Sequence, residues 1–201
     1  MRGPKEKKER ALGTKLFLKA SRCASPKCAM IRRPFKPGIH GGKKGRKQMI
    51  SEYGRQLQEK QKVQLTYGLN NRQMRRIFRG RKGAEKALGV LERRLDNIVF
   101  RLGLADSRII ARQLINHGHF LVNGRKVTIP SYGMKVGEKV GINSNSRQLK
   151  IFENLELKLK KITIPKWLKL DKEKLTGELV AKPQDINLPF DLNLVVEYYS
   201  R

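Results

Sequence analysis

The chain has 201 residues and carries 46 Lys and Arg against 17 Asp and Glu, a formal net charge of +29. A compact chain of that charge repels itself, so it calls for a polyanionic partner, and nucleic acid is the commonest one. No run of 18 apolar residues is present to span a membrane, the charged start MRGPKEKKER has no apolar stretch behind it to act as a secretory signal, and two cysteines make no disulfide framework, so a cytoplasmic setting is expected.

The charge is uneven. Residues 1–83 hold 25 basic and 4 acidic residues, a net of +21, and residues 84–201 hold the remaining +8. The basic residues are dispersed among Gly, Pro and aromatics instead of lining one amphipathic helix, which argues against adsorption to anionic lipid.

Residues 1–48 are rich in Gly, Pro and Lys, with KLFLKA (15–20) as the one short apolar piece. The Pro and Gly spacing in PFKPGIHGGKKGRK (34–47) interrupts helix and strand alike. This region reads as an extended segment that orders on its partner. Residues 51–67 look helical. The next helix, Asn70–Arg81, is better marked: Asn70 caps it with Gln73 three residues on. Met74, Ile77 and Phe78 share one face, and Arg72, Arg75, Arg76 and Arg79 share the other. A solvated face normally mixes signs, and this one has no acid.

Residues 84–102 read as one helix, with Ala84, Leu88, Leu91, Leu95, Ile98 and Leu102 recurring every three or four positions and Gly103 capping its end. Asp106 or Ser107 caps a second helix ending near His117–Gly118, with Ile110, Ala111, Leu114 and Ile115 as its buried stripe. Arg108, Arg112 and Asn116 lie one turn apart on its flank. In FLVNGRKVTI (120–129), Asn123–Gly124 signals a hairpin, because a type I′ turn needs positive φ at both positions. GEKVGI (137–142) reads as a strand and 146–161 as a helix. In the tail, ELVAK and LNLVVEYY are strand-like. The order helix, helix, hairpin, strand makes an α+β unit at roughly 90–145.

The segment RRLDNIVFRLGLADSRIIARQLINHGHFLVNGRKVTIPSYGMKVGE (93–138) closely resembles the RNA-binding module named after bacterial small-subunit ribosomal protein four. KLFLKASRCASPKCAMIRRPFKPGIHG (15–41), SEYGRQLQEKQKVQLTYG (51–68) and LVVEYYSR (194–201) resemble the same ribosomal protein family, so the likeness spans nearly the whole chain. It implies an α+β fold: two helices on a small, mostly antiparallel sheet, beside a helical N-terminal domain with a basic extended segment. The divisions expected are 1–48 for that segment, 49–92 for the helical domain, 93–155 for the module and 156–201 for C-terminal strands and a tail packing on both. The resemblance also implies a non-enzymatic ribosomal role. The family binds a helix junction in the 5′ domain of small-subunit ribosomal RNA, nucleates assembly of the subunit body and contributes to translational accuracy. Its neighbours are small-subunit proteins five and three, beside the path by which messenger RNA enters.

Folded RNA is read mostly by shape and backbone contact, and the planar fork of Arg suits phosphate. The expected contacts in the module are Arg108, Arg112 and Gln113 from the second helix, with His117, His119, Asn123 and Arg125 from the turn and hairpin. His117 could instead face its own helix carbonyls, and Asn123 could serve the turn. In the N-terminal half they are Arg2, Lys5, Lys43, Lys44, Arg46, Lys47, Arg55, Arg72, Arg75 and Arg76.

Three other readings compete with this one. Cys23 and Cys28, with His40 nearby, suggest zinc. Family members that hold zinc here use a second cysteine pair, where this chain has Glu6 and Glu9, and a structural site needs four good ligands, so no cofactor is expected. Arg94-Leu95-Asp96 mimics a motif of pseudouridine synthases, but Asp96 falls inside the expected helix 84–102 and no catalytic domain follows. A free-standing RNA chaperone would carry the module with a short basic tail, not a long N-terminal half with recognisable pieces of its own.

Overall fold

The computed structural model describes residues 4–39, 41, 50–79, 83–153, 155, 159, 162–184, 186 and 188–200. They form two compact units, one from residues 1–88 and 187–201 and the other from 89–186.

In the first unit, α1 (Lys5–Leu12) ends on Gly13, whose left-handed φ of 65° lets its N–H reach Arg10 O. Two single-turn helices follow, α2 (Ala20–Cys23) and α3 (Ala29–Arg32). The extended reading of residues 1–48 is therefore corrected for much of this stretch. The fold here is organised by a buried carboxylate. Glu9 Oε1 accepts from the N–H of Leu16 (3.0 Å) and of Leu18 (3.1 Å), and Oε2 from the Cys23 thiol (3.7 Å). Lone charged residues carry no hydrophobic periodicity, so this anchor leaves no pattern in the sequence.

Helix α4 (Glu52–Thr66) starts where Ser51 Oγ accepts from Gly54 N. Helix α5 (Asn71–Phe78) begins with the expected capping box, Asn70 to Gln73 N at 2.7 Å and Gln73 Oε1 to Asn70 N at 3.0 Å. It stops at Phe78, short of the expected Arg81, and residues 80–82 lie outside the described residues. The tail segment LNLVVEYY is a helix, α9 (Leu192–Ser200), not a strand. Its β-branched and aromatic residues read as strand locally, but packing on α4 overrides propensity. Leu192 and Val195 are buried. Gln56 donates to Glu197 (3.2 Å), and the Tyr199 ring stacks on Phe78 at 5.8 Å.

The boundary between units falls inside α6 (Ala84–Glu92), after Leu88. The single helix expected over 84–102 is broken. Arg94 is extended (φ −65°, ψ 139°), and a new helix, α7 (Leu95–Arg101), starts after it. The cause is strand-like pairing with residues 130–134: Met134 N donates to Arg93 O, Leu95 N to Tyr132 O and Asp96 N to Pro130 O. Those bonds satisfy N–H groups that a continuous helix would have used internally. Gly103, at φ 78°, follows the last turn.

Helix α8 (Arg108–Asn116) is capped by Ser107, whose Oγ accepts from Ile110 N. Ala111, Leu114 and Ile115 are buried, whereas Ile110 sits at the margin of the stripe and is 37% exposed. The hairpin forms as expected between β1 (Phe120–Val122) and β2 (Arg125–Lys126), with Asn123 at φ 49° and Gly124 at φ 78°. With β3 (Lys139–Ile142), β4 (Leu168–Asp171) and β5 (Thr176–Leu179) it makes an antiparallel sheet in the order β2-β1-β3-β5-β4. Part of ELVAK is thus a strand, and β4 was not foreseen. The helix expected over 146–161 starts later than expected: Ser144–Ser146 is a 3-10 turn and 147–153 are turns, whereas Leu155 and Leu159 are helical. Residues 154, 156–158 and 160–161 lie outside the described residues.

Leu95 and Ile98 of α7, Leu102 just after it, and Ala111, Leu114 and Ile115 of α8 pack with Phe120, Val140, Ile142 and Leu179 of the sheet in one core. The pairing Phe120↔Ile142 and Val122↔Val140 puts these apolar side chains on one face. Gly177 is required by this packing, because a Cβ there would run into the Leu102 side chain.

Candidate nucleic-acid interface

On α5, the one-sided arginine pattern is realised. Arg72, Arg75, Arg76 and Arg79 are exposed, over buried Met74, Ile77 and Phe78. Arg55 on α4 is also exposed, and Lys5 lies half-buried in the first turn of α1. Arg2, Lys43, Lys44, Arg46 and Lys47 lie outside the described residues.

In the second unit the helix arginines are held by protein groups. Asp96, 2% exposed, is gripped from two sides. Arg94 donates Nε to Oδ1 (3.1 Å) and a terminal N to Oδ2 (2.8 Å), and Arg112 donates two nitrogens to Oδ2 (3.2 and 2.6 Å). Beside it, Asn97 Nδ2 donates to Glu92 Oε2 (2.6 Å), Arg101 makes two bonds to the Glu92 carboxylate (3.1 Å each), and Arg108 Nε donates to Asn97 Oδ1 (2.7 Å). The Arg108 guanidinium also lies 4.5 Å from the Phe100 ring centroid. Arg108 and Arg112 therefore do not extend freely from the surface as the sequence suggests. The Arg112 side chain keeps 30% exposure. Buried carboxylates desolvated this far need such partners. In the sequence, Asp96 stands out in a motif but not as a carboxylate that holds arginines, and Glu92 is not singled out.

The remaining module residues diverge. Gln113, His117 and Arg125 are exposed. The His117 and His119 rings stack at 6.0 Å, and His119 Nδ1 lies 2.9 Å from Ser146 Oγ, so His119 is tied to the protein while His117 is not buried. Asn123 Oδ1 accepts from Lys139 N (2.9 Å), a turn-holding role. Lys126, not foreseen as a site residue, lies along Gly118, where a Cβ would collide with it. This approach brings the hairpin against the turn that follows α8.

Cys23 and Cys28 are buried free thiols. Burial, with the Glu9 carboxylate nearby, pushes the Cys23 thiol up. The donors beside them do not fit a structural zinc site: Glu9 is used on two backbone N–H groups, and Glu6 on Arg22 at 3.0 Å. His40 lies outside the described residues. Asp96, the residue that a uridine-isomerising enzyme would use as nucleophile, is closed in by two guanidinium groups. No helix among the described residues is long and apolar enough to cross a membrane.

Two family descriptions match this chain, "Ribosomal protein S4/S9 N-terminal domain" over residues 1–98 and "S4 domain" over residues 93–140. The chain is 46% identical over 207 aligned positions to "Small ribosomal subunit protein uS4" of Caldicellulosiruptor bescii, covering 99% of this chain and 98% of that one. It is 48% identical to the protein of the same name from Ruminiclostridium cellulolyticum, and 46% to that from Thermus thermophilus, each covering 94% of this chain and 93% of the relative.

Proposed function

The chain belongs to the family of small ribosomal subunit protein uS4, structural and non-enzymatic proteins of the ribosome, and on that premise we propose that it is a primary binder of small-subunit ribosomal RNA. It binds a helix junction of the 5′ domain, nucleates assembly of the subunit body and contributes to translational accuracy. The observation that supports RNA binding most directly is the α5 face, four exposed arginines with no acid among them, set over a buried apolar side. Such a face neutralises phosphates without reading sequence.

In the module, the exposed groups Gln113, His117 and Arg125 meet RNA directly. Arg112 is held by Asp96 so that its exposed edge faces the RNA in one orientation, which lowers the entropy lost on binding. Arg108 is set in the same way by Asn97 and Phe100. His119 and Asn123 shape this surface. Arg2, Lys43, Lys44, Arg46 and Lys47 add phosphate contacts, as do Lys5 and Arg55. Small-subunit proteins five and three and the incoming messenger RNA are the neighbours on a cytoplasmic ribosome.

Chemical footprinting of the pure chain on naked small-subunit ribosomal RNA tests this. Protection is expected at one junction of the 5′ domain. Protection scattered over the RNA would point instead to a general RNA chaperone.

A further inference from the structure

Three described residues other than glycine hold a positive φ: Phe17 (54°), Asn123 (49°) and Leu175 (53°). A bulky side chain in that left-handed region is strained, whereas glycine enters it at no steric cost. Asn123 forms the hairpin turn, and Leu175 packs against the core of the second unit. Phe17 does neither. It is 52% exposed, between Leu16 and Leu18, which are buried.

The backbone conformation at Phe17 has a local cause. Leu16 N and Leu18 N, on either side of it, both donate to Glu9 Oε1, at 3.0 and 3.1 Å. Alternate N–H groups turned to one anion make a concavity with a left-handed residue between them. That explains the φ but not the phenylalanine. Glycine would serve the concavity without strain, and half of the Phe17 surface faces solvent. An exposed apolar side chain by itself means nothing. One kept where its own backbone is strained points to a use outside the fold.

The surroundings of the ring indicate the partner. Lys15 Nζ lies over the Phe17 ring, 5.0 Å from its centroid, and Lys19 is exposed two residues further on. Residues 14–22 contain Lys15, Lys19 and Arg22 and no acid. An anionic partner with a flat apolar surface fits this arrangement, and a nucleobase on its phosphate chain is both. A phosphate alone has no use for the ring. We propose that Phe17 is a stacking platform for an unpaired base of the bound RNA, with Lys15 and Lys19 beside the adjoining phosphates. The proposal rests on the RNA-binding reading above and adds to it an uncharged, base-directed contact. Unlike the arginine face of α5, the ring takes no share in the salt dependence.

The test uses the full chain with Phe17→Leu, which keeps apolar bulk without the ring, and with Phe17→Trp, which keeps a ring. Affinity for a 5′-domain fragment of small-subunit ribosomal RNA is measured across a salt series. Phe17→Leu should bind roughly 5- to 150-fold more weakly, the range for one stacked base, with an unchanged log–log slope. Phe17→Trp should bind like the unsubstituted chain. Equal affinity of Phe17→Leu and the unsubstituted chain overturns the platform. So does a loss that also lowers the slope, which marks a charge contact. Suppose Phe17→Leu binds naked RNA normally but enters small subunits poorly when they are rebuilt with the full set of subunit proteins. The partner of the ring is then a protein, and the base is ruled out. If the unsubstituted chain does not bind the fragment, the RNA-binding reading fails and takes the platform with it. A second readout keeps the ring in place: a para-fluorine label on Phe17 alone gives one fluorine signal, which the ring current of a stacked base moves upfield on RNA binding. A signal that stays where it is overturns the platform.

Discussion

Arg112, on α8, donates two nitrogens to a single oxygen of Asp96, at 3.2 and 2.6 Å, across 16 residues of sequence. The pair joins the first turn of α7 to the middle of α8. Through Asp96 it also includes Arg94, at the break that separates α6 from α7.

Asp96→Asn should be strongly destabilising. It leaves two guanidinium groups, one of them largely buried, without their carboxylate, and removing one partner of such a pair typically costs about 3–5 kcal/mol. Urea unfolding followed by circular dichroism measures this. A loss below about 1 kcal/mol would show that Asp96 does not anchor the junction of α6, α7 and α8.

Replacing Arg72, Arg75 and Arg76 together by Gln should weaken RNA binding while leaving α5 folded, since Met74, Ile77 and Phe78 supply its packing. The salt slope should fall by roughly 0.7 to 0.9 for each phosphate no longer neutralised. Filter binding across a salt series reads the slope directly. A variant with wild-type slope would remove α5 from the interface.

The Tyr199 hydroxyl is buried and pushed up to about 12, chiefly by desolvation, with Tyr198 adding to the shift. Between the ordinary tyrosine value near 10 and about 12, the unfolded chain loses this proton and the folded chain keeps it. The folded state then binds more protons, so stability falls as pH rises through that window. Thermal melts of the unsubstituted chain should decline over this range more steeply than those of Tyr199→Phe. The same variant should be close to neutral at pH 7, because the hydroxyl has no hydrogen-bond partner among the described residues. Parallel decline of the two proteins would rule out Tyr199 as the titrating group.

Asn70→Ala removes the acceptor for Gln73 N and half of the capping box. Losing a cap of this kind costs about 1 kcal/mol, which calorimetry can resolve. Gly118→Ala should cost at least as much. Its φ of 76° disfavours a side chain, and the new methyl would displace Lys126. If Gly118→Ala were silent, the close approach of the hairpin to the turn after α8 would be wrong.

Much of this protein was legible as local pattern. The Asn70 cap, the Ser107 cap, the Asn123–Gly124 turn and the two-faced α5 each depend on side chains within a few residues of one another, and each is present. Net charge alone pointed to a polyanion, because charge is a property of composition. Tertiary structure decided the rest. It broke the periodic stretch 84–102 at Arg94, where backbone pairing with residues 130–134 outcompeted helix continuation. It turned LNLVVEYY from a strand pattern into a helix, because that segment packs along α4, where Gln56 bonds Glu197 and the Tyr53 ring meets Tyr198. It turned Arg108 and Arg112 toward Asn97 and Asp96. Each of these results from a contact between residues far apart in the chain, which local pattern does not encode.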